Sequence, residues 1–188
     1  MLPLWTMGGV LPAVWPGQPG HSPIRSPYTT DLAQVVQRFA TSPKRVEILH
    51  GLISFRAELH QLGICSGFQW LDGSFMEHVE VLEGRDPKDI DAVTYFDLPA
   101  GQTEETLEQQ APHLFDHDAV KMAYHVDHYP VVLGAVMDAD SIREISYWYS
   151  MWSHRRNGLW KGFVQVSLDP SEDAAALPYL PIVSGGTP

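Results

Sequence analysis

Two aspartates separated by one residue could bind divalent cations. Asp89 and Asp91 flank Ile90 in a segment whose composition is typical of a β-strand. Side chains alternate between the faces of a strand, so both carboxylates would share one face. Carboxylates held close together repel each other unless a cation neutralises them, and oxygen ligands suit Mg²⁺ or Mn²⁺. The pair therefore predicts a metal site. The alternative is that Asp89 is a turn residue and Asp91 a solvated strand residue.

A third carboxylate would complete a two-metal site. Asp127 lies on a later predicted strand, within the segment Tyr-His-Val-Asp-His-Tyr. We expect it to join Asp89 and Asp91. Histidines in the same region, His113 and His117, offer zinc binding as a further alternative, because nitrogen ligands in this spacing suit that metal.

A Gly-Ser turn precedes the aspartates. Gly73 would let the backbone approach a phosphate closely, and Ser74 would offer a hydroxyl and an amide. The alternative is an ordinary strand-to-helix turn capped by Ser74. For Asp72, which comes just before the turn, we expect a local turn or capping role.

The combination of Gly73 and Ser74 with the later Asp-x-Asp resembles the signature of the polymerase-beta-type nucleotidyltransferase superfamily. Other stretches resemble a bacterial family of uncharacterised nucleotidyltransferase-like proteins. These stretches are residues 9–12, 45–59, 71–75 and 87–91, Asp127 after Lys121, and Lys161 with Gly162.

The resemblance implies a reaction and a role for each site residue. A nucleotidyl group would pass from a nucleoside triphosphate to a hydroxyl acceptor, and pyrophosphate would leave. The implied metal ligands are Asp89, Asp91 and Asp127, with Mg²⁺ or Mn²⁺ as the cofactor; the implied nucleotide contacts are Gly73, Ser74 and Lys161. Proteins of this class are associated with toxin–antitoxin and phage-defence systems. The acceptor would be a protein, another nucleotide or a nucleic-acid end.

Two departures from the superfamily pattern support a different function. Fourteen residues separate Ser74 from Asp89, which is long for this motif, and Phe75 stands where many active members carry a basic or polar residue. Both favour a catalytically silent nucleotidyltransferase fold that acts as a binding or antitoxin module. An unrelated globular domain, in which the aspartates coincide by chance, is the third alternative.

Composition limits the setting in which this chemistry would occur. The chain has 188 residues and a net charge of −11, which disfavours broad nucleic-acid binding. Cys65 is the only cysteine, so we expect a reducing, cytoplasmic environment. No apolar run approaches the length of a membrane span, and residues 1–20 lack the basic region of a signal peptide. We expect no membrane association, and we expect a protein partner or self-association to help select the acceptor.

The predicted elements indicate an α+β fold with α/β-like character, in which a small mixed sheet is flanked by helices. Residues 1–30 are rich in proline and glycine and predict an extended arm on the surface. Residues 31–168 would form the nucleotidyltransferase-like domain, and residues 169–188 a flexible tail. The predicted helices are 31–40, 42–63, 75–82, 103–115 and 140–152; the predicted strands are 65–71, 89–96 and 124–133, and residues 160–168 form a hairpin arm or helix cap.

Overall fold

The computed structural model describes residues 1–134 and 137–182. These residues form five strands and eight α-helices. None of these helices is long and apolar enough to cross a membrane. The strands are β1 (Tyr28–Thr29), β2 (Gly67–Asp72), β3 (Ile90–Phe96), β4 (Val126–Val132) and β5 (Val164–Ser167). The helices are α1 (Leu32–Phe39), α2 (Pro43–Gln61), α3 (Val79–Leu82), α4 (Glu104–Gln110), α5 (Pro112–Phe115), α6 (His117–Tyr124), α7 (Ala139–Trp152) and α8 (Pro170–Ala176).

The strands form one mixed sheet in the order β1-β5-β2-β3-β4. Strand β2 is antiparallel to both of its neighbours, β5 and β3, whereas β4 runs parallel to β3. Pro130 lies on β4, the edge strand, where its missing N–H is tolerated. The predicted α+β fold with a small mixed sheet is therefore confirmed.

Helices cover both faces of the sheet. One face contributes Leu71, Ile90 and Val126 to a core shared with α1 and α2. On the other face, Trp148 and Trp152 of α7 pack with a smaller aromatic cluster of the sheet. The candidate site lies on this second face, next to the aromatic cluster.

The first two helices begin where the sequence predicts. The side chain of Asp31 accepts a hydrogen bond from the backbone of α1, and Ser42 does the same for α2. Pro43 occupies the first turn of α2, where its missing N–H has no partner to lose.

The predicted helix over 103–115 is interrupted, because Pro112 has no N–H to continue the hydrogen-bond ladder. It instead opens a separate short helix, α5. Asp116 then caps α6 by accepting a hydrogen bond from the Ala119 N–H at 2.8 Å. The predicted helix over 75–82 is also divided, into a 3₁₀ turn (Ser74–Met76) and α3.

The N-terminal arm is largely irregular, as predicted, but it belongs to the core. Leu2, Val10 and Leu11 are buried, and the arm supplies strand β1.

The prediction of a flexible tail over 169–188 is wrong for its first part. Residues 170–179 form α8 and a 3₁₀ turn, and Asp173 of α8 lies 2.6 Å from the buried Arg56 guanidinium of α2. Residues 183–188 lie outside the described residues.

Candidate active site

The register of three neighbouring strands places three aspartates side by side. Asp72 at the end of β2 is paired with Asp91 of β3, and Asp91 is paired with Asp127 of β4. Directly paired residues of adjacent strands project from the same face of a sheet, about 5 Å apart. The three carboxylates therefore form a row, which we call the carboxylate row.

Asp89 joins this row through a lysine. It precedes β3 by one residue, and Lys121 Nζ of α6 lies 3.0 Å from Asp89 Oδ2 and 2.5 Å from Asp127 Oδ2. The predicted ligands Asp89, Asp91 and Asp127 are thus brought to one place. Within residues 1–134 and 137–182, however, no three His, Cys, Asp or Glu side chains are arranged to hold a metal ion. Two of the carboxylates contact an amine instead.

Asp72 has a larger role than the turn or capping function expected from the sequence. Its side chain is buried, and Lys161 Nζ lies 2.9 Å from its Oδ2. The same amine lies 3.1 Å from Glu77 Oε1. Lys161, predicted to contact the nucleotide, is itself buried between two carboxylates.

Glycine is required at position 73, because the backbone there passes close to the carboxylate row. Its φ of 79° lies in the left-handed region, and a Cβ there would come within 2.7–2.9 Å of the Asp91 carboxylate. Only glycine allows this close approach without strain. Ser74 begins the 3₁₀ turn and is partly exposed.

The long spacer between Ser74 and Asp89 does not separate the two halves of the site. The buried Arg45 guanidinium of α2 donates hydrogen bonds of 2.6 Å to the carbonyl oxygens of Phe75 and Glu77. The turn is thereby fastened to the longest helix of the domain.

Burial and mutual repulsion change the proton affinity of the row. Burial, followed by repulsion from the neighbouring aspartates, raises the pKa of Asp91 to about 7. Burial also raises the pKa of Asp72 to about 6, although Lys161 acts in the opposite direction. In the described part of the chain, the Asp91 carboxylate accepts no side-chain hydrogen bond, and Oδ1 of Asp72 and Oδ1 of Asp127 are buried without accepting a hydrogen bond, although His117 Nδ1 lies 3.2 Å from the latter.

The site carries more negative than positive charge. Its charged side chains are six carboxylates and four cations, linked by ion pairs or by strand pairing. The carboxylates are Asp72, Glu77, Glu83, Asp89, Asp91 and Asp127, and the cations are Arg85, Lys121, Arg155 and Lys161. With all of them ionised, two negative charges remain. Such an excess in a partly buried site favours the binding of cations.

The histidines are distributed over separate elements. His113 of α5 pairs with Glu58, whereas Nδ1 of His117 lies 3.2 Å from Asp127 Oδ1. The two do not share a helix as the zinc alternative requires, and His117 instead belongs to the edge of the carboxylate row.

The sequence interpretation missed Lys121, Glu77 and Arg155 as members of this site. Lys121 was detectable, because it lies on the element just before the strand of Asp127. Glu77 and Arg155 were not, because their contact depends on how the spacer folds against the turn after α7.

The matching family model spans residues 3–167, which is most of the chain. It describes a family of unknown function. Comparisons with curated proteins and with solved structures gave no significant match. The chain belongs to this family of unknown function, DUF6932.

Proposed function

We propose that the protein is a metal-dependent nucleotidyltransferase, which transfers a nucleotidyl group from a nucleoside triphosphate to a hydroxyl acceptor. The carboxylate row carries this proposal. Asp91 stands at its centre with aspartates on both paired strands and no side-chain hydrogen bond in the described residues. A half-buried carboxylate between two others is stabilised more readily by a cation than by protein groups.

The donor atoms are of the type that Mg²⁺ or Mn²⁺ binds, although in the described residues their side chains are not yet arranged around an ion. Asp89, Asp91 and Asp127 supply oxygen atoms alone, which are the ligands that these hard cations prefer. Within the described residues, the buried Oδ1 of Asp127 accepts no hydrogen bond; Nδ1 of His117 lies 3.2 Å from it without donating one, so this oxygen is available as a ligand. When bound, such ions stabilise negative charge on the attacking and leaving oxygens of phosphoryl transfer.

The Gly73–Ser74 turn lies where a triphosphate would meet the row. Gly73 packs directly against the Asp91 carboxylate, and the partly exposed Ser74 begins the next turn. We assign the phosphates to this turn and the acceptor hydroxyl to the side of Asp127. The acceptor class, a toxin–antitoxin or phage-defence setting, a cytoplasmic location and a protein partner or homo-oligomer stay predictions.

One observation favours the silent alternative. Lys121 bridges Asp89 and Asp127, and its amine can neutralise them in place of a metal ion. In that case the fold would serve as a binding or antitoxin module, and neither metal nor triphosphate would bind at the row.

A labelled-nucleotide assay distinguishes the two functions. The full chain is incubated with each α-³²P nucleoside triphosphate, Mg²⁺ or Mn²⁺ and cell extract, and pyrophosphate release and labelled acceptors are measured. We expect transfer by the wild type and by Asp86→Asn, an exposed carboxylate that serves as the matched control. We expect none by Asp91→Asn. Equal pyrophosphate release and labelling by wild type and Asp91→Asn, with both proteins folded, would refute the proposed enzymatic activity.

A further inference from the structure

Arg155 contacts two glutamates of the spacer. It lies on the turn after α7, and its Nε is 2.8 Å from Glu77 Oε2, while Nη2 donates a hydrogen bond to Glu83. The guanidinium therefore divides its donors between two carboxylates on the segment that follows the Gly-Ser turn.

Glu77 connects this guanidinium to the carboxylate row. Its other oxygen contacts Lys161, which in turn contacts Asp72. Its backbone N–H donates to the carbonyl oxygen of Ser74 at 3.2 Å. Arg155 thus has a fixed place beside the turn to which we assign the phosphates.

The two contacts of Arg155 differ in how easily they can be exchanged. The Glu77 side chain is 8% exposed, whereas that of Glu83 is 33% exposed. Glu83 also accepts a hydrogen bond from Arg85 Nε at 2.7 Å, so it keeps a partner when Arg155 leaves. An exposed ion pair of this kind contributes little stability and exchanges readily with solutes. The Glu83 end of the guanidinium is therefore the replaceable one.

We propose that Arg155 binds the polyphosphate chain of the substrate and that Glu83 occupies its guanidinium until the substrate arrives. Phosphate and carboxylate oxygens make the same paired hydrogen bonds with a guanidinium, so one can replace the other. The inference rests on the proposed function and extends it. It gives the long spacer a role, which is to hold a carboxylate that the triphosphate must displace.

Titration calorimetry of the full chain with magnesium tripolyphosphate tests this role, with a nucleoside monophosphate as the second probe. We expect Glu83→Gln to tighten tripolyphosphate binding about threefold to tenfold, since the competing charge is removed. We expect Arg155→Gln to weaken it about tenfold or more, and Arg155→Lys to restore part of the loss. Arg156→Gln, at the exposed neighbouring arginine, is the matched control, and monophosphate binding should change in none of these variants.

The double variant Glu83→Gln/Arg155→Gln separates a direct effect from a structural one. If Glu83 acts by occupying Arg155, its substitution has no effect once Arg155 is gone. Unchanged tripolyphosphate affinity in Glu83→Gln would overturn the inference while the transferase proposal stands. So would a double variant that binds more tightly than Arg155→Gln by the same factor by which Glu83→Gln exceeds the wild type. A wild type that binds no tripolyphosphate overturns both. If tripolyphosphate binding follows this pattern but the labelled-nucleotide assay shows no transfer, only the transferase proposal is overturned.

Discussion

Replacing Asp91 by asparagine should stabilise the metal-free protein. Asp91 is half-buried among carboxylates, and its pKa rises from the ordinary 3.8 to about 7. This rise corresponds to about 4 kcal/mol, at about 1.4 kcal/mol for each tenfold change in the proton equilibrium. Because the residue is partly exposed and solvent screens its charge, we expect Asp91→Asn to gain about 2–3 kcal/mol in free energy of unfolding at pH 8.

The pH dependence of this gain has a definite sign. Between about pH 4 and pH 7 the folded protein keeps a proton on Asp91 that the unfolded chain has released. The contribution of Asp91 to stability therefore falls as pH rises through this window. The advantage of Asp91→Asn should accordingly shrink to about 1 kcal/mol at pH 5.

Urea denaturation in the presence of a chelator, at pH 5 and pH 8, measures both quantities. Asp86→Asn provides the control and should change stability by less than about 0.5 kcal/mol at either pH. Added Mn²⁺ should stabilise the wild type at pH 8 but not Asp91→Asn, because a ligand stabilises only the state that binds it. The reasoning is wrong if Asp91→Asn is less stable than the wild type at pH 8, or if the difference is the same at both pH values.

Three other perturbations test separate parts of the structure. Gly73→Ala should destabilise the protein by about 1–3 kcal/mol, because a left-handed φ and a contact with Asp91 both oppose a Cβ; urea denaturation measures the loss, and unchanged stability would contradict the close approach. Mn²⁺ affinity, followed by electron paramagnetic resonance, should rise up to about tenfold for each pH unit from pH 5.5 to 7, because Asp91 must lose its proton before it ligates; a flat profile would argue against ligation by this residue. Asp173→Ala should cost about 3–5 kcal/mol, because it leaves the Arg56 guanidinium buried without its carboxylate; a melting temperature equal to that of the wild type would show that α8 does not anchor to α2.

Local signals in the sequence account for the elements that were predicted correctly. Asp31 and Ser42 cap their helices with their own side chains, so the signal and the structure occupy the same few residues. Helix α8 could not be predicted in this way. It is held by Asp173 against Arg56, a contact across 117 positions that no local pattern reveals.

The difference between local signals and contacts of distant residues also applies to the site. The Asp-x-Asp spacing predicted that Asp89 and Asp91 share a face, because alternation along a strand is a local property. The place of Asp72 in the row depends on the register between β2 and β3, which a single sequence does not specify. Without that register, the sequence around Asp72 is equally compatible with a turn residue and with the last residue of a buried strand.

The two lysines of the site differ in a way that bears on its chemistry. The Lys161 side chain is 7% exposed and contacts two buried carboxylates, so removing its amine would leave charges without compensation. The Lys121 side chain is 39% exposed and contacts Asp89 and Asp127 from the solvent side. An exposed amine on a flexible stem can withdraw at small cost. A cation could therefore take the place of Lys121 but not that of Lys161. For this reason the proposed metal site comprises Asp89, Asp91 and Asp127, and Asp72 and Lys161 are left as a fixed ion pair beside it.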